Sequence, residues 1–146
     1  ILCSDWSSDV CSSDLKQAEA ANRHIELSLH GLFKKTVTPE TEWIEAIGIL
    51  LDNAIEASPK GSTVFLSSKK QGDFLELTVS NPAPPLSNTE FMALFGKGVT
   101  TKASRDGHGF GLYNILRMTE RYHGKILTRN ESILNENYVV FGILMP

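Results

Sequence analysis

Three glycines alternate with other residues in the segment 107–112, directly before a stretch with helical periodicity. Glycine adopts backbone angles that are closed to other residues and lets a ligand approach the main chain. The first turn of the following helix adds unpaired N–H groups and the positive end of the helix dipole. The sequence therefore predicts a phosphate-binding turn formed by Gly107, His108, Gly109, Phe110, Gly111 and Leu112. An ordinary glycine loop ahead of a helix is the alternative.

Two other phosphate-binding motifs do not fit this segment. Its spacing is Gly-x-Gly-x-Gly and polar residues precede it, whereas the dinucleotide-binding motif of Rossmann folds has a different spacing and follows a hydrophobic strand. The P-loop pattern is absent from the sequence. Neither class of nucleotide-binding fold is therefore expected.

A second candidate lies on a predicted helix at residues 50–57. Asn53 falls beside the apolar stripe of this helix, with Ile49 one turn earlier and Glu56 one turn later on roughly the same side. A neutral amide oxygen there could ligate Mg²⁺, which proteins commonly share with substrate phosphates. The alternative is a solvated flank of the helix, so the importance of Asn53 depends on its neighbouring motifs.

The elements that must position these residues begin with a strand, because Ile25, Leu27 and Leu29 alternate with polar residues. Residues 38–40, Thr-Pro-Glu, offer a hydroxyl cap, a proline at the first helical position and an acidic first turn. A helix is predicted from there to the stop signal at residues 58–61. Its apolar stripe consists of Trp43, Ile47, Leu50, Leu51 and Ala54.

The rest of the chain alternates hairpins and helices. Residues 63–68 and 74–79 predict a hairpin, and Ser87 with Glu90 fits a capping box for a short helix that ends at Gly96. A longer helix follows over residues 112–122, with Gly124 as its stop, and two strands near 125–129 and 138–145 finish the chain. This order favours a mixed α+β sandwich over a parallel, doubly wound sheet.

Composition limits the classes of function. The 146 residues are 41% hydrophobic, which suits one domain with a sizeable core. The formal net charge of −3 gives no basic footprint, so we expect no nucleic-acid partner. No apolar run approaches the roughly 20 residues that span a bilayer, so we expect no membrane contact by this chain.

The first fifteen residues repeat Ser-Asp three times and show neither helical nor strand periodicity. Residues 5–15 also resemble the in-frame translation of a sequencing-adapter oligonucleotide. We therefore predict a disordered, non-native scar at 1–15, a linker or helix tail at 16–24, and a single domain at 25–146. Both cysteines, Cys3 and Cys11, lie in the scar, so the predicted domain carries no thiol site.

Three motifs resemble those of the GHKL ATPases, the superfamily that contains gyrase, Hsp90, histidine kinases and MutL. Residues 50–57, Leu-Leu-Asp-Asn-Ala-Ile-Glu-Ala, resemble its asparagine box, and residues 107–112 resemble its second glycine box. Residues 95–102, Phe-Gly-Lys-Gly-Val-Thr-Thr-Lys, resemble the phenylalanine box and lid of histidine kinases of the accessory-gene-regulator, quorum-sensing branch. The order and distances of the motifs indicate the catalytic and ATP-binding domain of a bacterial sensor histidine kinase.

The resemblance implies a two-layer, Bergerat-type sandwich with a mixed sheet packed against helices and Mg-ATP bound between the helices. Asn53 would bind Mg²⁺ and phosphate oxygens as a catalytic residue, and Glu56 would line the same helix face. Thr101 and Lys102 would belong to a mobile lid, with Lys102 approaching the terminal phosphate as the second catalytic residue. An ordinary solvated lysine is the alternative at that position. The glycine box at 107–112, including His108, Phe110 and Leu112, would wrap the phosphates.

Two departures from the family pattern bear on activity. Where most members have an aspartate followed by a glycine pair to hold adenine, this chain has Asn81, followed by Pro-Ala-Pro. The carbonyl oxygen of Asn81 can still accept from the adenine amino group, although a neutral acceptor binds less strongly than a charged one. Ile49 stands where hydrolytic members tend to place a glutamate base, and an aliphatic side chain cannot move a proton.

Three functions remain open at this point. The first is an enzyme domain that presents the γ-phosphate of ATP to a histidine on a separate dimerisation domain of its parent kinase, which later phosphorylates a response regulator. The second is a degenerate GHKL module that binds nucleotide without catalysis, and the third is an anti-sigma serine kinase. In the first case the domain is expected to be cytoplasmic and the parent anchored in the membrane.

Overall fold

Alternating apolar side chains build a five-stranded sheet, and the apolar stripes of the helices pack against it. The computed structural model of the chain describes residues 20–31, 36–96 and 111–146. Its strands are β1 (Glu26–His30), β2 (Thr63–Gln71), β3 (Phe74–Pro82), β4 (Lys125–Ile133) and β5 (Glu136–Met145). Its helices are α1 (Glu40–Ala57), α2 (Asn88–Leu94) and α3 (Gly111–Arg121). The predicted element order and the mixed α+β architecture are confirmed.

The strands lie in the order β1-β2-β3-β5-β4. β1 runs parallel to β2, and α1 provides the crossover that a parallel pair requires. The other neighbouring strands are antiparallel. The first hairpin is longer than the sequence predicts, because cross-strand pairing continues to Gln71 and Phe74 and leaves only Gly72 and Asp73 for the turn.

One face of the sheet forms the floor of the core. Leu75, Leu77 and Val79 alternate along β3 and are almost fully buried, and so are Ile143 and Met145 on β5. The predicted apolar stripe of α1 packs against this face, and all five of its residues are buried. None of the described helices is long and apolar enough to cross a membrane.

The start of α1 differs from the prediction. The hydroxyl of Thr38 does not cap the helix: it donates to the carbonyl oxygen of Pro146 at 2.9 Å, and the Thr38 backbone N–H donates to the same oxygen at 2.8 Å. Pro39, with φ −58° and ψ 145°, is the N-cap instead, and the helix begins at Glu40. The hydroxyl-cap prediction is wrong because the last residue of the chain competes for this hydroxyl, and local sequence gives no sign of that contact.

The two shorter helices end or begin largely as predicted. The capping box of α2 is present: Ser87 Oγ accepts from the Glu90 N–H and Glu90 Oε1 accepts from the Ser87 N–H, both at 3.1 Å. After α3, however, the left-handed residue is His123, with φ 61°, and not Gly124. Gly124 is needed for a different reason, because a Cβ there would lie 2.5 Å from the Leu144 carbonyl oxygen.

The far ends of α1 and α3 are joined by polar contacts. Arg121 Nη1 lies 3.3 Å from Glu42 Oε1, and the Tyr122 hydroxyl lies 3.5 Å from the same oxygen. The Arg121 guanidinium also lies over the Tyr122 ring, 5.9 Å from its centroid. These contacts connect the first turn of α1 to the end of α3, so the two helices that carry candidate site residues are tied together away from the site.

Candidate functional site

Asn53 and Glu56 project from the half-buried flank of α1. The neighbouring stripe residues Leu50, Leu51 and Ala54 are buried in the core, whereas both Asn53 and Glu56 keep intermediate exposure. The helical period therefore places an amide and a carboxylate at the border between core and solvent, one turn apart or less. Oxygen donors at such a border can reach a ligand that lies along the helix.

The first residue of α3 lies against α1 on the same side. A Cβ added to Gly111 would lie 3.1 Å from the Cγ2 atom of Ile49, and Ile49 precedes Asn53 by one helical turn. Leu112, the next residue of α3, is half-buried and packs against the core. Gly111 is therefore brought to α1 one turn before Asn53.

Asn81 lies near the end of β3, on the face of the sheet that the helices cover. It continues the alternation of Leu75, Leu77 and Val79, and only 3% of its surface is exposed. Its side-chain Nδ2 donates to the Pro82 carbonyl oxygen at 3.3 Å. This bond turns the carbonyl oxygen of the amide, Oδ1, away from Pro82, so that a hydrogen-bond acceptor faces the other direction.

The segment after Asn81 is fastened to the β4–β5 hairpin by two asparagines that the sequence analysis did not identify. Asn137 Nδ2 donates to the Ala83 carbonyl oxygen at 2.8 Å, and the Ala83 N–H donates to the Asn137 carbonyl oxygen at 3.1 Å. Asn130 contacts both backbone groups of Leu86: its Oδ1 accepts from the N–H at 3.0 Å and its Nδ2 donates to the carbonyl oxygen at 2.8 Å.

No sequence signal marks Asn130 or Asn137, because each acts on a residue more than forty positions away. Their effect is local and mechanical. They fix the conformation of a segment that contains prolines at 82, 84 and 85. Most members of the family that the sequence resembles have a glycine pair in this segment. A cavity of about 450 Å³ opens beside this segment, at the end of α1, and is lined by Ala57, Pro59, Pro82, Ala83, Pro84, Glu136 and Asn137.

The donor set on α1 fits a hard cation held together with phosphate. Mg²⁺ prefers oxygen ligands and retains waters or substrate oxygens in its shell, and Asn53 and Glu56 offer an amide and a carboxylate oxygen on one flank. Among the residues that the structure describes, no group of three or more His, Cys, Asp or Glu side chains is placed to hold a metal ion.

Ile49 contributes no polar group to the site. Its side chain is half-buried and packs against the core and against Gly111. The remaining predicted site residues lie outside the described residues: these are Thr101, Lys102, Gly107, His108, Gly109 and Phe110. The described part of the site therefore consists of the flank of α1, the first turn of α3 and the end of β3.

Comparisons with known proteins relate the chain to one family of ATPases. A family model described as "Histidine kinase-, DNA gyrase B-, and HSP90-like ATPase" matches residues 39–142. The sensor protein PhoQ of Escherichia coli (strain K12) is 32% identical over 110 residues, covering 73% of this chain and 22% of PhoQ. The chain spans about a fifth of the length of the curated relatives it matches.

Solved structures with the same fold include sensor kinases. The mycobacterial sensor histidine kinase MprB superposes with a TM-score of 0.76 at 18% identity, covering 95% of this chain and 93% of that one. The histidine kinase ThkA, solved in complex with the response regulator protein TrrA, gives a TM-score of 0.70 at 19% identity, with 95% of this chain and 40% of that one covered. At these identities the likeness establishes the fold.

Proposed function

The chain belongs to the family of histidine kinase-, DNA gyrase B- and HSP90-like ATPases, and on that premise we propose that it binds Mg-ATP and donates the γ-phosphate to a histidine. The acceptor would lie on a separate dimerisation domain of the same parent kinase. One observation carries the proposal: Gly111, the first residue of α3, lies against Ile49, one helical turn before Asn53, so the start of α3 lies near the candidate metal ligand.

Each described residue has a role in this proposal. Asn53 binds Mg²⁺ and phosphate oxygens, and Glu56 lines the same flank. Gly111 and Leu112 offer the first backbone N–H groups of α3 to the phosphates. Asn81 accepts from the adenine amino group through Oδ1. Bound Mg²⁺ would neutralise charge on the phosphate oxygens.

Residues outside the described part complete the proposed site. Thr101 and Lys102 belong to a lid that closes over the nucleotide, with Lys102 near the terminal phosphate. Gly107, His108, Gly109 and Phe110 form the rest of the phosphate-binding turn. These roles are supported by the order of the motifs in the sequence and by the position of Gly111, to which the turn leads.

Transfer of the γ-phosphoryl group requires little covalent chemistry from the residues of this domain. A nitrogen of the acceptor imidazole attacks the γ-phosphorus, the bond between the γ-phosphorus and the bridging oxygen breaks, and ADP leaves. A base on the acceptor domain takes the proton. Positioning and charge neutralisation are therefore the contributions of this chain, which is consistent with a site where Ile49 offers no proton-transfer group.

The wider setting belongs to the same proposal. The lid sequence at 97–102 and Asn81 favour the accessory-gene-regulator, quorum-sensing branch of sensor kinases. The phosphohistidine would then serve a response regulator, a partner supported by the ThkA complex with TrrA. We place residues 25–146 on the cytoplasmic side of a membrane-anchored parent, since ATP is a cytoplasmic substrate, and treat residues 1–15 as non-native.

A nucleotide-binding module without catalysis is the second candidate. Two observations favour it: Asn81 replaces a charged acceptor by a neutral one, and Ile49 supplies packing where a base would stand. An anti-sigma serine kinase is a third candidate and differs from the first only in the phosphorylated residue.

The test combines the chain with the dimerisation domain of its own parent and ATP labelled at the γ-phosphate. We expect acid-labile, base-stable phosphate on the acceptor, no labelling of this chain alone, and no transfer by Asn53→Ala. The matched control is Asn88→Ala, which alters an exposed asparagine on α2 and should leave transfer unchanged. ATP binding without any transfer would support the binding module, and phosphoserine on the partner would support the third candidate.

A further inference from the structure

The contact between α1 and α3 is closer than a side chain at Gly111 would allow. An ideal Cβ on Gly111 would lie 3.1 Å from the Cγ2 methyl carbon of Ile49, inside the usual van der Waals distance of two carbon atoms. The glycine hydrogen therefore lets the backbone of α3 sit directly on an aliphatic side chain of α1. Neither the glycine motif nor the asparagine motif, taken alone, predicts this contact.

Ile49 cannot easily move aside. A β-branched side chain inside a helix has one strongly preferred χ1 rotamer, so its Cγ2 methyl group is fixed in direction by the helix itself. Ile49 lies in the middle of α1, and its side chain also packs against the core. The methyl group therefore limits how closely the backbone of α3 can approach α1.

The location of this contact between Ile49 and Gly111 matters for the candidate site. Ile49 is one turn before Asn53, and Gly111 is the first residue of α3 as described. The contact between the Ile49 methyl group and the Gly111 backbone therefore lies between the start of α3 and the turn of α1 that carries the candidate metal ligand. The polar contacts of Glu42 with Arg121 and Tyr122 join the far ends of the same two helices, so we expect a side chain at position 111 to displace the near end of α3.

We propose that Ile49 is a positioning residue: its Cγ2 methyl group, resting on Gly111, sets the distance between the first turn of α3 and Asn53 and so the fit of the nucleotide phosphates. This inference rests on the proposed nucleotide site. It gives Ile49 a positional role in the proposed site, where its side chain offers no base.

The first variant is Gly111→Ala. The added methyl group should displace the start of α3 by a few tenths of an ångström. We expect the Kd for the non-hydrolysable analogue AMP-PNP with Mg²⁺ to rise about tenfold, which corresponds to about 1.4 kcal/mol of lost phosphate contacts. The thermal midpoint should change little, because the higher helix propensity of alanine offsets the cost of the close contact.

A matched control is available on α1. Gly48→Ala makes the same chemical change next to Ile49, but nothing lies within 4 Å of the added Cβ. This variant should leave the Kd for AMP-PNP unchanged. Loss of affinity in both variants would mean that any alanine near this helix pair disturbs the site, and the specific contact would then carry no special role.

Second-site changes test the methyl group directly. Ile49→Leu keeps the number of carbon atoms but removes the branch at Cβ, so the double variant Gly111→Ala with Ile49→Leu should return the Kd to within about twofold of Ile49→Leu alone. Ile49→Val keeps the branch, so the double variant Gly111→Ala with Ile49→Val should stay as weak as Gly111→Ala. Ile49→Ala, which also lacks the branch, should restore affinity if leucine packs poorly.

Three outcomes would overturn the inference: an unchanged Kd in Gly111→Ala, equal rescue by leucine and valine, or no rescue by either leucine or alanine. Failure of the proposed function has a different signature, since the unsubstituted chain would then bind no AMP-PNP at all. The thermal midpoints measured in the same samples separate lost affinity from lost folding.

Discussion

At the scale of single residues, Asn81 shows how a hydrogen bond can orient a neutral side chain. An asparagine amide has a donor and an acceptor at nearly the same place, and a rotation about its last bond exchanges them. The bond from Nδ2 to the Pro82 carbonyl oxygen favours the orientation in which Oδ1, the acceptor, points away from Pro82. An acceptor in this orientation would match the amino group of adenine and oppose the carbonyl oxygen of guanine.

The orientation of Asn81 leads to a prediction about base selectivity. Asn81→Ala removes the acceptor, so the ratio of the Kd values for GTP and ATP should fall by roughly tenfold or more, as expected for a lost hydrogen bond and the buried polar group it leaves. Calorimetric titration with both nucleotides measures this ratio. Asn88→Ala provides the control, and an unchanged ratio in Asn81→Ala would remove Asn81 from adenine recognition.

Sequence and structure agree unequally at this scale. Asn53, Glu56 and Asn81 can be proposed from the sequence because each belongs to a short motif with a recognisable order, and their roles stay predictions. Asn130, Asn137 and the methyl group of Ile49 cannot be proposed in this way, because their partners are far along the chain and depend on strand register and on the packing of two helices. Local patterns carry no information on such contacts.

At the scale of elements, the hairpin of β4 and β5 supports the site from outside. Asn130 satisfies both backbone groups of Leu86, as a neighbouring strand would, and Asn137 joins Ala83 to the start of β5. Prolines at 82, 84 and 85 limit the backbone further. The segment that follows β3 is thereby held beyond Pro82, where the register of β3 with β5 ends.

Loss of the side-chain hydrogen bonds of Asn130 and Asn137 should weaken binding at the proposed nucleotide site. The double variant Asn130→Ala with Asn137→Ala removes three side-chain hydrogen bonds, so the free energy of unfolding should fall by about 2–4 kcal/mol, at about 1 kcal/mol for each bond. The Kd for ATP should rise, because Asn81 directly precedes the loosened segment. Urea unfolding and calorimetry measure the two effects.

A drop in stability with an unchanged Kd would show that the two asparagines serve the fold alone. The matched control is the pair Asn88→Ala and Asn22→Ala, both at exposed positions. Neither of these changes should alter the affinity for ATP.

The bounds of the elements were predicted well where local signals act and less well where distant partners decide. The capping box at Ser87 and Glu90 and the apolar stripe of α1 were correct, since both depend on spacing within one helix. The cap at Thr38 was wrong because the end of the chain takes its hydroxyl. β2 and β3 are longer than predicted because their cross-strand pairing continues to Gln71 and Phe74, on either side of the turn.

At the scale of the whole molecule, the sheet has two unlike faces. The face with Leu77 and Val79 is covered by helices, and the opposite face carries aromatic and polar side chains. On that opposite face Tyr138 is almost fully buried against Phe65, with ring centroids 5.6 Å apart. Burial, and to a lesser extent the nearby charge of Glu136, raises the pKa of Tyr138 above its ordinary value of 10.0.

This shift predicts the behaviour of the fold at alkaline pH. A raised pKa in the folded state means that the fold favours the neutral phenol, so its contribution to stability is complete below about pH 10 and is lost as the pH rises through the folded pKa. Tyr138→Phe should therefore show a smaller loss of stability above pH 10 than the unsubstituted chain. Urea unfolding at several pH values measures this loss of stability, with Tyr113→Phe as the control. Identical slopes would leave Tyr138 without a role in alkaline unfolding.

The measurement closest to the central claim is calorimetric titration of the folded chain with ATP, with and without Mg²⁺. We expect one site, a Kd in the micromolar to millimolar range typical of substrates, and tighter binding with Mg²⁺. Asn53→Ala should remove the response to Mg²⁺, whereas Asn88→Ala should retain it. No heat at millimolar ATP and Mg²⁺, from a sample shown to be folded, would contradict the nucleotide site, and an unchanged Mg²⁺ response in Asn53→Ala would contradict the assignment of the metal ligand.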